Sequence, residues 1–196
     1  MGRVFLGWEG LHGDAQGDRK HHGGVEKALH HYARDHYAYW TAAIGPHAAL
    51  GQPGAFGENL TSHGLTETEV AVGDVFRLGE AVIEVSQGRQ PCWKLNTRFD
   101  VPDMALQMQR SGLTGWYYRV IEPGYIQGGE TLDCVDRKTP AWTLDRLWRA
   151  LYVNTLDLDE LAAMAEVVTL ADNWRTYARK RLQTRSVEDW SRRLNG

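Results

Sequence analysis

The stretch Val70-Ala71-Val72-Gly73-Asp74-Val75-Phe76-Arg77-Leu78-Gly79-Glu80-Ala81-Val82-Ile83-Glu84-Val85 decides the fold class. Val70, Val72, Val75 and Leu78, then Ala81, Ile83 and Val85, space their apolar side chains as two extended segments. Gly79-Glu80 between them reads as a tight turn, so the pattern predicts a β-hairpin. Residues 116–121 and 131–135, each bounded by glycine or proline, add two more strand candidates. A β-rich body follows.

Outward from this centre the texture changes twice. Upstream, Val25, Ala28, Leu29 and Tyr32 recur at i, i+3, i+4 and i+7, and this spacing predicts an amphipathic helix over residues 25–37. Residues 45–57 carry Pro46, Gly51, Pro53 and Gly54, and read as an ordered loop. Downstream of Thr139-Pro140, Leu144, Leu147, Trp148 and Leu151 fall on one helical stripe. Leu158, Leu161 and Ala162 form a second stripe, and Trp174, Tyr177, Ala178 and Leu182 a third. Thr143 or Asp145, Asp157 and Asp172 offer oxygen atoms to begin these helices. The expected organisation is a β domain over residues 1–139 and a three-helix domain over residues 140–196, the helices packing against the sheet because alone they bury little.

Composition excludes several classes. Of 196 residues, 42% are hydrophobic and 24% charged, an ordinary globular balance with no apolar run of the roughly 20 residues a membrane span requires. The opening residues lack a secretory pattern, and the expected location is cytoplasmic. Residues 137–196 hold 11 of the 22 Lys and Arg and 8 of the 25 Asp and Glu, a formal +3, against -6 for the rest. Acids are interspersed among those bases, which suits a solvated helical surface and not a nucleic-acid stripe. All 8 histidines lie within the first 63 residues, but His30, His31 and His36 lack the i, i+4 spacing of a helical zinc pair.

Four stretches carry candidate chemistry. Residues 13–27 run Gly-Asp-Ala-Gln-Gly-Asp-Arg-Lys-His-His-Gly-Gly-Val-Glu-Lys, where Gly23 and Gly24 let backbone approach a ligand and Lys20, His22 and Lys27 supply positive charge, as a phosphate cradle needs. Asp14 and Asp18 would order the loop or accept from a heterocycle. Phe56-Gly57-Glu58-Asn59 offers acceptors and an amide donor to a ring edge. Ser86-Gln87-Gly88-Arg89-Gln90-Pro91-Cys92-Trp93-Lys94 follows the hairpin directly, and Arg89 and Lys94 flank a thiol suited to nucleophilic or metal-ligating work. Cys134, inside a strand candidate, reads as inert.

In this order, Gly-Asp-x-Gln-x-Asp…His-Gly-Gly-x-x-Lys-Ala, Phe-Gly-Glu-Asn-Leu, Gly-Asp-Val-Phe-Arg-Leu-Gly and Ser-Gln-x-Arg-x-Pro-Cys-x-Lys-Leu closely resemble the MOSC domain proteins, and within them the YiiM-like group. The resemblance covers essentially the whole chain. It implies a MOSC-type β-barrel core with a C-terminal three-helix appendage, the molybdenum cofactor (molybdopterin), and reduction of N-hydroxylated nucleobases such as 6-N-hydroxylaminopurine, a detoxification. Cys92 would ligate molybdenum, with Arg89 and Ser86 beside it. His22, Gly23, Gly24 and Lys27 would hold the pterin and its phosphate, with Asp18 ordering their loop, while Phe56, Glu58 and Asn59 wall the pocket.

The resemblance also implies an external electron-donating reductase, a flavoprotein, because no flavin or nicotinamide fingerprint is visible. Family members begin with an additional N-terminal strand, and its absence here would leave a barrel edge exposed and favour a homodimer. The alternative function is a sulfur-carrier or cofactor-binding module that uses Cys92 without redox turnover.

Overall fold

Strands β5 (Asp74–Leu78) and β6 (Ala81–Gly88) pair antiparallel around Gly79-Glu80, with Phe76 opposite Ile83 and Leu78 opposite Ala81. The fold is described by a computed structural model covering residues 2–14 and 23–196. The hairpin sits in a six-stranded sheet. β6 pairs with β7 (Trp116–Glu122), β7 with β3 (Leu29–Ala33), and β3 runs parallel to the edge strand β4 (Leu60–Ser62). At the other edge β9 (Leu132–Arg137) lies against β5. The sheet curls into a half-barrel, so that Leu60 and Ser62 of β4 and Leu132 of β9 line one small cavity of about 70 Å³ with His31 and Leu78.

β6 is buried along its whole length, as a strand covered on both faces must be. The half-barrel interior covers one face and the C-terminal helices the other. Those helices are α4 (Leu144–Tyr152), α5 (Leu158–Ala165), α6 (Asp172–Thr184) and the short α7 (Ser191–Asn195). Their Leu147, Leu151, Leu161, Met164 and Trp174 form one continuous core with Ile83, Val85, Trp116 and Tyr118 of the sheet. The sequence predicted three of these helices and not α7. Thr143 accepts from the Arg146 amide and Asp157 from the Glu160 amide, so two of the expected caps form. Asp172 lies inside the first turn of α6, behind Ala171.

A second core lies beyond the barrel, between α1 (His36–Ile44), α2 (Lys94–Phe99) and α3 (Met104–Ser111). It packs Tyr32, Tyr37, Trp40, Phe56, Phe99 and Met108, with Phe56 stacked on Tyr32 at 4.1 Å.

One expectation is corrected. The helix predicted over residues 25–37 is a single 3-10 turn at Val25–Lys27, then strand β3, with α1 beginning only at His36. All five β3 residues are buried, so the apolar spacing belonged to a strand enclosed on both faces and not to one helical stripe. A separate small sheet holds the residues near position 4. β1 (Val4–Gly7) pairs with β8 (Gly124–Ile126) and with β2 (Gly10–Leu11) in a separate three-stranded sheet, and Leu6 is fully buried there. No helix among the described residues is long and apolar enough to cross a membrane.

Candidate functional site

Beyond Val85 the backbone of β6 shifts register against β7 and then leaves the sheet, carrying Ser86, Arg89 and Cys92 towards the turn at Val25–Lys27. The Ser86 hydroxyl lies 2.6 Å from the Glu26 carbonyl and 3.1 Å from that of Tyr117, and the Gln87 amide donates to the same Glu26 carbonyl. Ser86 thus ties the glycine-rich turn to the sheet from a fully buried position. Its role is internal.

Arg89 is 7% exposed. Its guanidinium reaches the Met108 sulfur at 2.8 Å and the Phe56 carbonyl at 3.3 Å, and among the described residues it makes no ion pair. Both neighbouring carboxylates are already engaged. Glu58 accepts from the Tyr37 hydroxyl and from the amides of Gly54 and Phe56, while Glu67 accepts from the Gly115 amide and faces His36 Nε2 at 2.6 Å. The guanidinium is thus held by neutral acceptors and makes no ion pair among the described residues, which favours an anionic ligand beside it.

Three sequence-predicted residues converge on one that the sequence reading missed. Lys27 Nζ lies over the Tyr117 ring, 5.8 Å from its centroid, and Arg89 and Cys92 both act electrostatically on the Tyr117 phenol. Burial pushes that phenol up, with the Arg89 charge opposing, and burial pushes Lys27 down. The His30 ring packs against the Tyr117 ring with centroids 5.0 Å apart. Cys92 is partly buried and in no disulfide, whereas Cys134 is exposed on β9. Tyr117 lay in a strand candidate, but its place between cations and thiol depends on pairing with β3 and β6, which leaves no local signal.

Gly24 has φ 97°, with open space where a side chain would be, so the turn bearing Gly23, Gly24 and Lys27 presents bare backbone. Asp18 and His22 lie outside the described residues. Of the second motif, Phe56 is 2% exposed and its ring belongs to the aromatic core, leaving its carbonyl for Arg89. Glu58 clamps its own loop, and Arg98 holds that loop from outside through the Gly54 and Ala55 carbonyls. Asn59 accepts from the His30 amide at 2.9 Å and donates to Asp14 at 3.0 Å, joining β3 to the segment that leads into the glycine-rich loop.

The rear of the thiol loop is covered by the C-terminal helices. The Ala171 amide donates to the Ser86 carbonyl, Asn173 to Gln87, and Gln90 to the Tyr152 hydroxyl. A β-carbon on Gly88 would lie 3.0 Å from the Trp174 ring, so glycine lets that helix approach without the ring having to shift. No group of three or more metal-ligating side chains occurs among the described residues. A site with one soft thiol, two cations and exposed backbone suits a metal that arrives with its own ligands on an anionic carrier, and the molybdenum cofactor is such a group.

Residues 18–133 match the MOSC domain family, and residues 142–185 match the YiiM-like, 3-alpha helix domain. The chain is 42% identical to Protein YiiM of Escherichia coli over 195 residues, covering 100% of this chain and 87% of that protein. The crystal structure of YiiM from Escherichia coli superposes with a TM-score of 0.90 at 39% identity, over 100% of this chain and 92% of that one. A Gibberella moniliformis protein named Reductase is 35% identical over 93% of this chain, which spans only 32% of it. With both of its halves matched in order, the chain belongs to the MOSC domain family, in the branch that carries the YiiM-like helical domain.

Proposed function

We propose that the protein is a molybdenum-cofactor-dependent oxidoreductase that reduces N-hydroxylated nucleobases and related hydroxylamines. The observation that carries this reading is Arg89, a buried cation without an ion-pair partner among the described residues, held beside the partly buried Cys92. Family membership and the similarity to a protein named Reductase support the redox class.

Cys92 would hold the molybdenum through its sulfur. Arg89 and Lys27 would balance the negative charge of the pterin dithiolene and phosphate, with Gly23 and Gly24 offering backbone amides, and Asp18 and His22 completing that loop. The bound cofactor supplies two-electron removal of oxygen, so a hydroxylamine R–NH–OH, with two electrons and two protons, gives R–NH2 and water. The rest falls to the chain. Burial around Arg89 and Tyr117 excludes water and strengthens the pull of the cations, and the ties from Ser86 and Asn59 keep the two halves of the pocket in register. Electrons would come from an external flavoprotein reductase.

The test is molybdenum content of protein from a cofactor-producing host, wild type against Cys92→Ala, with reduction of 6-N-hydroxylaminopurine by an artificial donor. Near-stoichiometric metal and turnover that both collapse in the variant are expected. Metal-free wild-type protein carrying a persulfide on Cys92 would overturn the reading in favour of a sulfur carrier.

A further inference from the structure

Cys92 lies in the stretch Gln90–Trp93, which has no helix or strand of its own, yet the residues on both sides of it are gripped by one residue 100 positions later in the chain. The Arg193 guanidinium donates to the Pro91 carbonyl, just before the thiol, and the Arg193 carbonyl accepts from the Trp93 amide at 2.8 Å, just after it. The same guanidinium donates to Gln109 at 2.5 Å and lies over the Trp190 ring, 4.8 Å from its centroid. The Leu194 carbonyl next to it accepts from Asn96 at 2.9 Å. Arg193 therefore spans from α7 to α3 with the thiol loop fixed between.

We propose that Arg193 is a positioning residue, which fixes the direction and accessibility of the Cys92 sulfur without touching the reacting atoms. This arrangement lies outside the part of the chain that matches the three-helix domain, residues 142–185. A side chain on an irregular loop takes its direction largely from the bonds that fix the backbone around it, and here one such bond on each side of the thiol comes from the same distant residue. Releasing the side-chain bond to the Pro91 carbonyl loosens the loop on the near side of the thiol while the barrel and its helices stay folded. The inference rests on the proposed role of Cys92, but its consequence is visible on the thiol itself.

The experiment uses the full-length chain from cells unable to make the pterin, and follows iodoacetamide alkylation of each cysteine by mass spectrometry. Cys134, exposed on β9, is the internal reference. Arg193→Ala is expected to raise the Cys92 rate about tenfold, the equivalent of one lost charged hydrogen bond, and to leave Cys134 unchanged. Both variants keep the bond from the Trp93 amide to the main-chain carbonyl of residue 193; Arg193→Lys also keeps one side-chain donor and should fall between, and it serves if the alanine variant does not fold. Unchanged Cys92 rates, or acceleration of both cysteines together, would overturn the proposal. The reductase reading fails by a different sign, molybdenum retained in Cys92→Ala, which the alkylation rates do not touch.

Discussion

Arg89 and His31 are both buried, and they make opposite bargains with the fold. Arg89 is held by neutral acceptors and makes no ion pair among the described residues, so its burial costs stability in the empty protein. We expect Arg89→Met to unfold at the same denaturant concentration as wild type or a higher one, within about 1 kcal/mol, while retained molybdenum falls at least tenfold. A large loss of stability in the metal-free variant would assign Arg89 to the core instead. His31 surrenders its charge. It is fully buried, bonded to the Tyr118 hydroxyl at 2.9 Å and the Ser62 hydroxyl at 2.8 Å, and burial lowers its pKa to about 3. Only the unfolded chain takes a proton there at mildly acid pH, so the stability His31 contributes is complete above pH 6.5 and drains as the pH falls from 6.5 towards 3. Between pH 7 and pH 5 this amounts to about 2 kcal/mol. Urea unfolding of His31→Gln against wild type at the two pH values should show the difference shrinking by that amount. Arg89, Cys92 and Lys94 could be singled out because they are neighbours in sequence. Tyr117, Met108 and Arg193 were not, since each reaches the site across a separation the chain does not announce.

At the scale of elements, the hairpin of β5 and β6 and the helices after Pro140 were readable because each alternates or repeats against a single core. β3 was not. Its His30 and His31 face opposite sides, and both are buried, so polar residues sat where the helical pattern expected a solvated face. The crossing from α3 into β7 depends on Gly115. Its φ is +75° and a β-carbon would lie 2.4 Å from the His31 carbonyl, while its amide donates to Glu67. Gly115→Ala should cost about 3 kcal/mol or more by chemical denaturation, through clash and a strained backbone together. Arg181 plays the corresponding part among the helices. It is wholly buried and binds Glu188 and the Leu151 carbonyl, pinning the segment that leads to α7. Arg181→Met leaves Glu188 without that cation and should destabilise by about 3 kcal/mol or more.

For the whole molecule, the boundary that the sequence placed near Pro140 separates textures and not cores. The helices and the sheet share one apolar cluster, and a unit with one core unfolds as one. Far-UV circular dichroism and tryptophan fluorescence should therefore trace coincident urea transitions, and a helical transition ahead of the sheet would contradict the shared core. The small sheet at the other end of the molecule bears on how the protein is made. Val4 pairs with Ile126 and Leu6 with Gly124, so everything between Leu6 and Gly124 must be synthesised before β8 can join β1. At 5–20 residues per second that interval is roughly 6–25 s, during which Leu6, later fully buried, is open to chaperones and to neighbouring nascent chains.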